Sequence, residues 1–310
     1  MINIRKNISL NTTSKKRKKF RIRQFSRVSE SKKYTRSKVG NVSYVILLVA
    51  FGLFSIFPLI YCITTSLKPL DELMIFPPRF LVQRPTAQNY LALPGLLSNL
   101  NVPLSRYIFN SLFVSIVTTV FYVLFSSAAA FVLSKSQIKG KKIIFMMVQF
   151  ALLFNAYTLE IPRYLIYSYT NIINTYLVYI LPMLSGTMGV FLMKQYMEGS
   201  VPDALIEAAK IDGAGPYRIF FQIVFPMVKP CVMTLSLFGF RDVWATVPNG
   251  TVFDETLKTL PTIMTQITAG GIARAGSAMA VTVIMMLPPI LVYMISQRNV
   301  LESMNSAGIK

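Results

Sequence analysis

VSYVILLVAFGLFSIFPLIYCITTS, residues 42–66, runs for 25 positions without a charged side chain. A bilayer core takes about 20 apolar residues per helix, so the stretch reads as a membrane-spanning helix. Farther along the chain, 108–133 and 275–297 meet the same length without a charge, and 175–193 falls just short of it. Two further windows are interrupted, 143–162 by Glu160 and 230–247 by Arg241 and Asp242. The fold expected is all-α, a polytopic membrane protein with six transmembrane helices at about 42–66, 108–133, 143–162, 175–193, 230–247 and 275–297. The expected domains are a basic tail over 1–41 and a transmembrane domain over 42–310.

Composition agrees. Of 310 residues, 53% are hydrophobic and only 14% charged, with a mean hydropathy of +0.52, more apolar surface than a soluble core of this size hides. The net charge of +20 raises nucleic acid as a partner, because Lys15, Lys16, Arg17, Lys18 and Lys19 form a dense run. A juxtamembrane basic segment is already attracted to anionic lipid by about 1 kcal/mol per residue, so membrane lipids and not nucleic acid are the expected partner. The tail has few apolar residues to bury and is expected to be disordered off the membrane surface.

Orientation follows from basic residues beside the spans. Arg27, Lys32, Lys33, Arg36 and Lys38 precede the first window, against Lys68 and Arg79 just after it. The N-terminus is placed inside, and six spans return the C-terminus to the same side. The first apolar stretch is too long and begins too late for a cleavable signal. Cys62 and Cys231 fall in expected spans, where they read as buried apolar residues rather than a disulfide.

The chain has no histidine, which removes the commonest general base and metal ligand. It has no G-x-x-x-x-G-K-[ST] phosphate loop, so by that route it is not its own ATPase. No catalytic residue, metal site or cofactor is expected in this chain. Glu160, Arg241 and Asp242 are costly inside a membrane and mark either a polar pathway or a buried pair. If the windows end earlier, the same charges sit at the outer interface.

The segment 194–229 between the fourth and fifth windows is the most informative. Ser200 and Asp203 fit the S-x-x-[DE] capping pattern, which predicts a short helix over about 201–211. Leu205, Ala208 and Ala209 share one of its faces, with Glu207 and Lys210 to the side. Then comes Asp212-Gly213-Ala214-Gly215-Pro216. Gly213 suits a left-handed helix end and Pro216 a helix start, so the segment reads as an elbow of two short helices.

Glu207-Ala208-Ala209, three residues, Gly213, nine residues, then Ile223, one residue and Phe225-Pro226 resembles the EAA loop of ABC importer permeases, whose usual form is EAA, x3, G, x9, I-x-L-P. Phe225 replaces the usual Leu and keeps the position apolar. Pro77-Pro78, Pro85-Thr86, Asn89-Tyr90, Arg106-Tyr107 and Asn110-Ser111-Leu112 are similar to the carbohydrate-uptake permeases of the maltose-transporter type. Ile161-Pro162, Asn174-Thr175-Tyr176 and Phe191-Leu192-Met193-Lys194-Gln195 extend the likeness, which is to the second permease chain of such systems. Trp244 is followed by Ala245 where that family usually has Asn. The end of the chain, 297–310, is similar to permeases assigned to complex or uronic-acid-containing oligosaccharides.

The resemblance implies a type I importer permease in a bacterial plasma membrane with both termini cytoplasmic. It implies a second homologous permease, two ATP-binding subunits that hold ATP and Mg, and an extracellular solute-binding protein. Leu205, Ala208 and Ala209 would fill a groove of the ATPase, Glu207 would meet a basic group there, and Asp212, Gly213, Ile223 and Pro226 complete the coupling loop. Glu160, Arg241, Asp242 and Trp244 are candidates for the substrate pathway, Trp244 by stacking on a sugar ring or, failing that, as a membrane-boundary anchor. An ATP-independent secondary transporter is the alternative, but it calls for ionisable groups near mid-span, which the four clean windows lack. A membrane-embedded enzyme ranks below both.

Overall fold

A computed structural model describes residues 38–97, 101–154, 156–248 and 250–308, and the basic tail before Lys38 lies outside it. The helices that matter are α1 (Lys38–Ser66), α2 (Leu104–Lys135), α3 (Lys141–Ala151), α4 (Glu160–Tyr169) and α5 (Leu177–Leu184). They continue with α6 (Thr187–Ser200), α7 (Asp203–Ile211), α8 (Lys229–Trp244), α9 (Leu260–Thr268) and α10 (Ala275–Gly308). There is no strand among the described residues.

α2 is the central helix and shows how the sequence folds for lipid. Its buried positions recur at three- and four-residue spacing: Tyr107, Asn110, Ser111, Val114, Ser115, Thr118, Thr119, Tyr122, Ser126 and Ala130. Beyond its first turn, its exposed positions are large apolar ones, among them Phe109, Phe113, Ile116, Val120, Phe121 and Phe125. A soluble helix would reverse this arrangement. With apolar solvent outside, helices associate through close packing of small residues and side-chain hydrogen bonds.

α6 and α8 pack on α2, and α10 on α8. Close approach is set by glycine: a Cβ at Gly189 would lie 2.5 Å from the Tyr122 hydroxyl, and one at Gly239 would lie 2.8 Å from the same ring. Tyr122 fills a slot that only hydrogen atoms leave open.

Among the described residues, four helical stretches are long and apolar enough to cross a bilayer: Gly40–Ser66, Leu104–Lys135, Leu177–Ser200 and Ile272–Arg298. A fifth is counted only if Pro216–Met227 and Lys229–Trp244, bent by 81° at their junction, are taken together as one span. The remaining expected window, 143–162, is not one helix but α3 and α4 with a break at 152–154 and a single 3₁₀ turn between them. Pro162 explains the restart: in a continuous helix its ring would clash with the carbonyl four residues back, whereas the first turn of α4 tolerates it.

Candidate functional site

The segment joining α6 to α8 is built by local bonds. α7 ends at Gly213, whose φ of 77° is left-handed. The Gly213 amide donates to the Lys210 carbonyl (3.1 Å) and the Ala214 amide to the Ala209 carbonyl (2.9 Å), the paired bonds of a Schellman end. Pro216 then opens the second arm, Pro216–Arg218.

That arm continues as a π-helical stretch, Ile219–Val224, in which the Phe225 amide reaches back five residues to the Phe220 carbonyl. Pro226, having no N–H, cannot make the four-residue bond that would hold an ordinary helix there. The other end of α7 departs from the capping pattern. Ser200 belongs to the last turn of α6, and Pro202, which makes no side-chain cap bond, occupies the N-cap. Lys135 takes over the junction, donating to the Val201 carbonyl (2.6 Å) and pairing with Asp203 (2.7 Å). That contact holds the Asp203 carboxyl below the usual carboxylate range.

The two faces of α7 differ from the expected division. Ile206 and Ala209 are buried in one cluster with Tyr122, Met193, Met197, Val224 and Leu235, which joins α7 to α2, α6 and α8. Ala209 is therefore enclosed by its own chain and not free to fill a partner groove, a correction that follows from the Ile206–Ala209 spacing placing both on the inward side. Leu205 and Ala208 are exposed, as are Glu207 and Asp212. Beyond them Ile211 is 87% and Tyr217 82% exposed. Ile223 packs partly on the buried cluster, and Pro226 is exposed. Ile211 and Tyr217 were not singled out by sequence; large apolar side chains bracketing a polar elbow are the signal.

At the far end of α8, its 16 residues and about 24 Å away at 1.5 Å per residue, a cavity of about 340 Å³ opens between α4, α5 and the segment after α8. Glu160 and Asp242 line it, together with Arg163, Tyr164, Tyr167 and Tyr179. Residues 160, 163, 164 and 167 form a single helical face. Arg241 is not among the lining residues; its guanidinium turns to Asp242 at 3.0 Å.

Trp244 does not reach the cavity either. It is 4% exposed, stacks on Phe240 at 5.6 Å and donates its indole N–H to the Met285 carbonyl at 2.9 Å. Sugar stacking and a boundary-anchor role are both replaced by a core position between α8 and α10. The chain that follows the cavity-lining residue Thr251 is held by long-range bonds. Asn174 accepts the amides of Phe253 (3.0 Å) and Asp254 (2.9 Å). Asn110 donates to the carbonyls of Thr256 (2.7 Å) and Lys258 (2.9 Å), and Ser111 accepts the Leu260 amide at 2.7 Å.

The pattern of the family described as binding-protein-dependent transport system inner membrane component matches residues 95–306. The arabinooligosaccharides transport system permease protein AraQ of Halalkalibacterium halodurans is 29% identical over 272 residues, 83% of this chain and 91% of that protein. The inner membrane ABC transporter permease protein YcjP of Escherichia coli is 26% identical over 90% of this chain and 98% of its own length. The polygalacturonan/rhamnogalacturonan transport system permease protein YtcP of Bacillus subtilis is 26% identical over 81% and 91%.

Among solved structures, a bacterial ABC transporter involved in the import of the acidic polysaccharide alginate has a chain that superposes with a TM-score of 0.67 at 20% identity. The match covers 85% of this chain and 98% of that one, a likeness of fold. With most of the chain matched, from residue 95 into α10, the protein belongs to the binding-protein-dependent transport system inner membrane component family and is a membrane-embedded permease subunit of an ATP-binding-cassette importer, a transport component rather than an enzyme.

Proposed function

We propose that this permease translocates a carbohydrate, in particular an oligosaccharide delivered by an extracellular binding protein, as the second of two homologous permease chains. Two partner subunits bind ATP and Mg and press on α7 from the cytoplasm, where both chain termini also lie. The observation that carries the coupling part is the division of α7 into two faces. Ile206 and Ala209 are fixed in the same cluster as α2, α6 and α8, while Leu205, Ala208 and Glu207 point away. A push on the free face therefore moves packed helices rather than a slack loop, because close-packed interiors transmit strain.

The carbohydrate part is supported by relatives named for arabinooligosaccharides and for polygalacturonan/rhamnogalacturonan. The cavity fits the same reading: the carboxylates of Glu160 and Asp242 accept bonds from sugar hydroxyls, and the tyrosines offer apolar faces with polar tips. Purification from the native membrane tests it. An ATPase and a second permease should accompany the chain, and hydrolysis should rise when a binding protein loaded with oligosaccharide is added; a chain that transports alone overturns the proposal.

A further inference from the structure

We propose that the cavity between α4, α5 and the segment after α8 takes an uncharged sugar unit and turns away uronates, an inference that rests on the carbohydrate reading above and names its charge class. Glu160, Arg163 and Asp242 are the charged side chains among the lining residues, and Asp242 has its own counter-charge in Arg241 at 3.0 Å. Two carboxylates therefore stand against two guanidiniums, and the cavity is in balance while empty of any charged guest. α4 begins at Glu160, so the partial positive charge of that helix start is met by the carboxylate standing on it.

The pair on α4 is open. Glu160 and Arg163 are three residues apart on one helical face, a spacing at which side chains are neighbours. Among the described residues, neither makes an ion pair or a side-chain hydrogen bond. An ionised carboxylate only accepts and a guanidinium only donates, so adjacent hydroxyls of one sugar ring can donate to Glu160 and accept from Arg163 together. Tyr164 lines the same cavity and is 43% exposed, which leaves ring surface for the apolar side of the sugar.

A uronate breaks the balance. Its carboxylate would pair with Arg163 only by coming within reach of Glu160, a like charge on the same face, and three acids would then share two bases. A charge without its own partner is costly where water is scarce, whereas a neutral ring brings hydroxyls and no charge. At about 340 Å³ the space lies at the low end of the ~300–1,000 Å³ usual for small-molecule pockets, room for a short piece of an oligosaccharide. This preference departs from the likeness of residues 297–310 to permeases assigned to uronic-acid-containing oligosaccharides.

Saturation-transfer NMR on the assembled importer in nanodiscs at neutral pH tests it, with trigalacturonate and its methyl ester as probes that differ in charge, and arabinotriose as a further neutral probe. The ester and arabinotriose should take up saturation several-fold more than trigalacturonate, and Tyr164→Ala should weaken the ester signal. Glu160→Gln and Asp242→Asn, each leaving a guanidinium unmatched, should both shift the ratio toward trigalacturonate, and Arg163→Gln should shift it the other way. A merely structural role would not produce opposite signs. Equal signals from the ester and the acid in the parent, or a ratio that no charge variant moves, would overturn the proposal and leave the carbohydrate reading standing. Signal from none of the three probes would also overturn it, and hydrolysis stimulated by a loaded binding protein then decides separately whether the carbohydrate reading survives. If the variants fail to co-elute with the ATP-binding subunit, the ratio in the parent carries the test alone.

Discussion

The two ends of α8 are built on opposite plans. At its N-terminal end the elbow is one continuous stretch, closed by bonds between residues three and five apart, such as Gly213 to Lys210 and Ala214 to Ala209. At its C-terminal end the cavity draws on α4, α5 and the segment after α8, held by Asn110 and Asn174 across contacts of 79 to 148 positions in sequence. The first plan makes a stiff part that keeps its shape under load. The second leaves the lining free to vary while the chain after Thr251 holds its position, because these bonds join Asn110 and Asn174 to backbone groups and do not use the lining side chains.

The sharpest way to break this comparison is to separate the two faces of α7. Ile206→Ala removes a side chain that is 4% exposed, and a buried truncation of this kind costs about 2–5 kcal/mol. Its thermal unfolding in detergent should fall well below that of the parent. Leu205→Ala, on the exposed face, should leave unfolding unchanged while weakening association with the ATPase subunit. If both variants lose stability equally, α7 has no free face.

Next in size is the slot around Tyr122. Gly189→Ala sets a methyl 2.5 Å from both the Tyr122 and Ser126 oxygens, and overpacking costs about 1–3 kcal/mol. The unfolding temperature should drop, and Tyr122→Leu in the same chain should restore part of it, since residues in contact do not add independently. An additive double variant would mean that α6 and α8 do not depend on this slot for their approach to α2.

Gly213→Val has a smaller energetic cost and a larger functional one. A Cβ at Gly213 meets nothing within 4 Å, so the penalty is the left-handed backbone alone, about 1–2 kcal/mol. The membrane domain should stay folded while substrate uptake separates from ATP hydrolysis. Gly213→Asn, which tolerates the left-handed region, should retain most of the coupling. Equal uptake in Gly213→Val and the parent would show that the elbow angle is not used.

What could be read in advance follows the same division. The elbow was legible because its determinants are adjacent: Gly213 and Pro216 specify a stop and a start by their own backbone limits. The inward position of Ala209 was not, because it depends on where Met193 and Leu235 arrive from α6 and α8. Trp244 looked available for stacking for a similar reason: its partner, the Met285 carbonyl, is 41 positions away. Hydropathy merged α3 and α4 into one window because averaging over apolar residues ignores the backbone restriction at Pro162. The cavity face at 160, 163, 164 and 167 becomes visible only once a helix is known to start at Glu160.

The smallest effect tests the junction that ties α7 to α2. Asp203 is exposed, while the Lys135 side chain that meets it is only 5% exposed, so the interaction is anchored from one side and screened from the other. The hydrogen bond and charge of Lys135 lower the Asp203 carboxyl below its ordinary value. A carboxyl lowered on folding stabilises the folded state above the ordinary carboxylate value of about 4, and that contribution is lost as pH falls through the lowered value. Stability measured against pH should therefore decline in that acid window, and Asp203→Asn should flatten this part of the profile with little change at neutral pH. Because Lys135 also donates to the Val201 carbonyl, the α6 to α7 turn should survive in Asp203→Asn; if that turn opens instead, the ion pair and not the backbone bond positions α7.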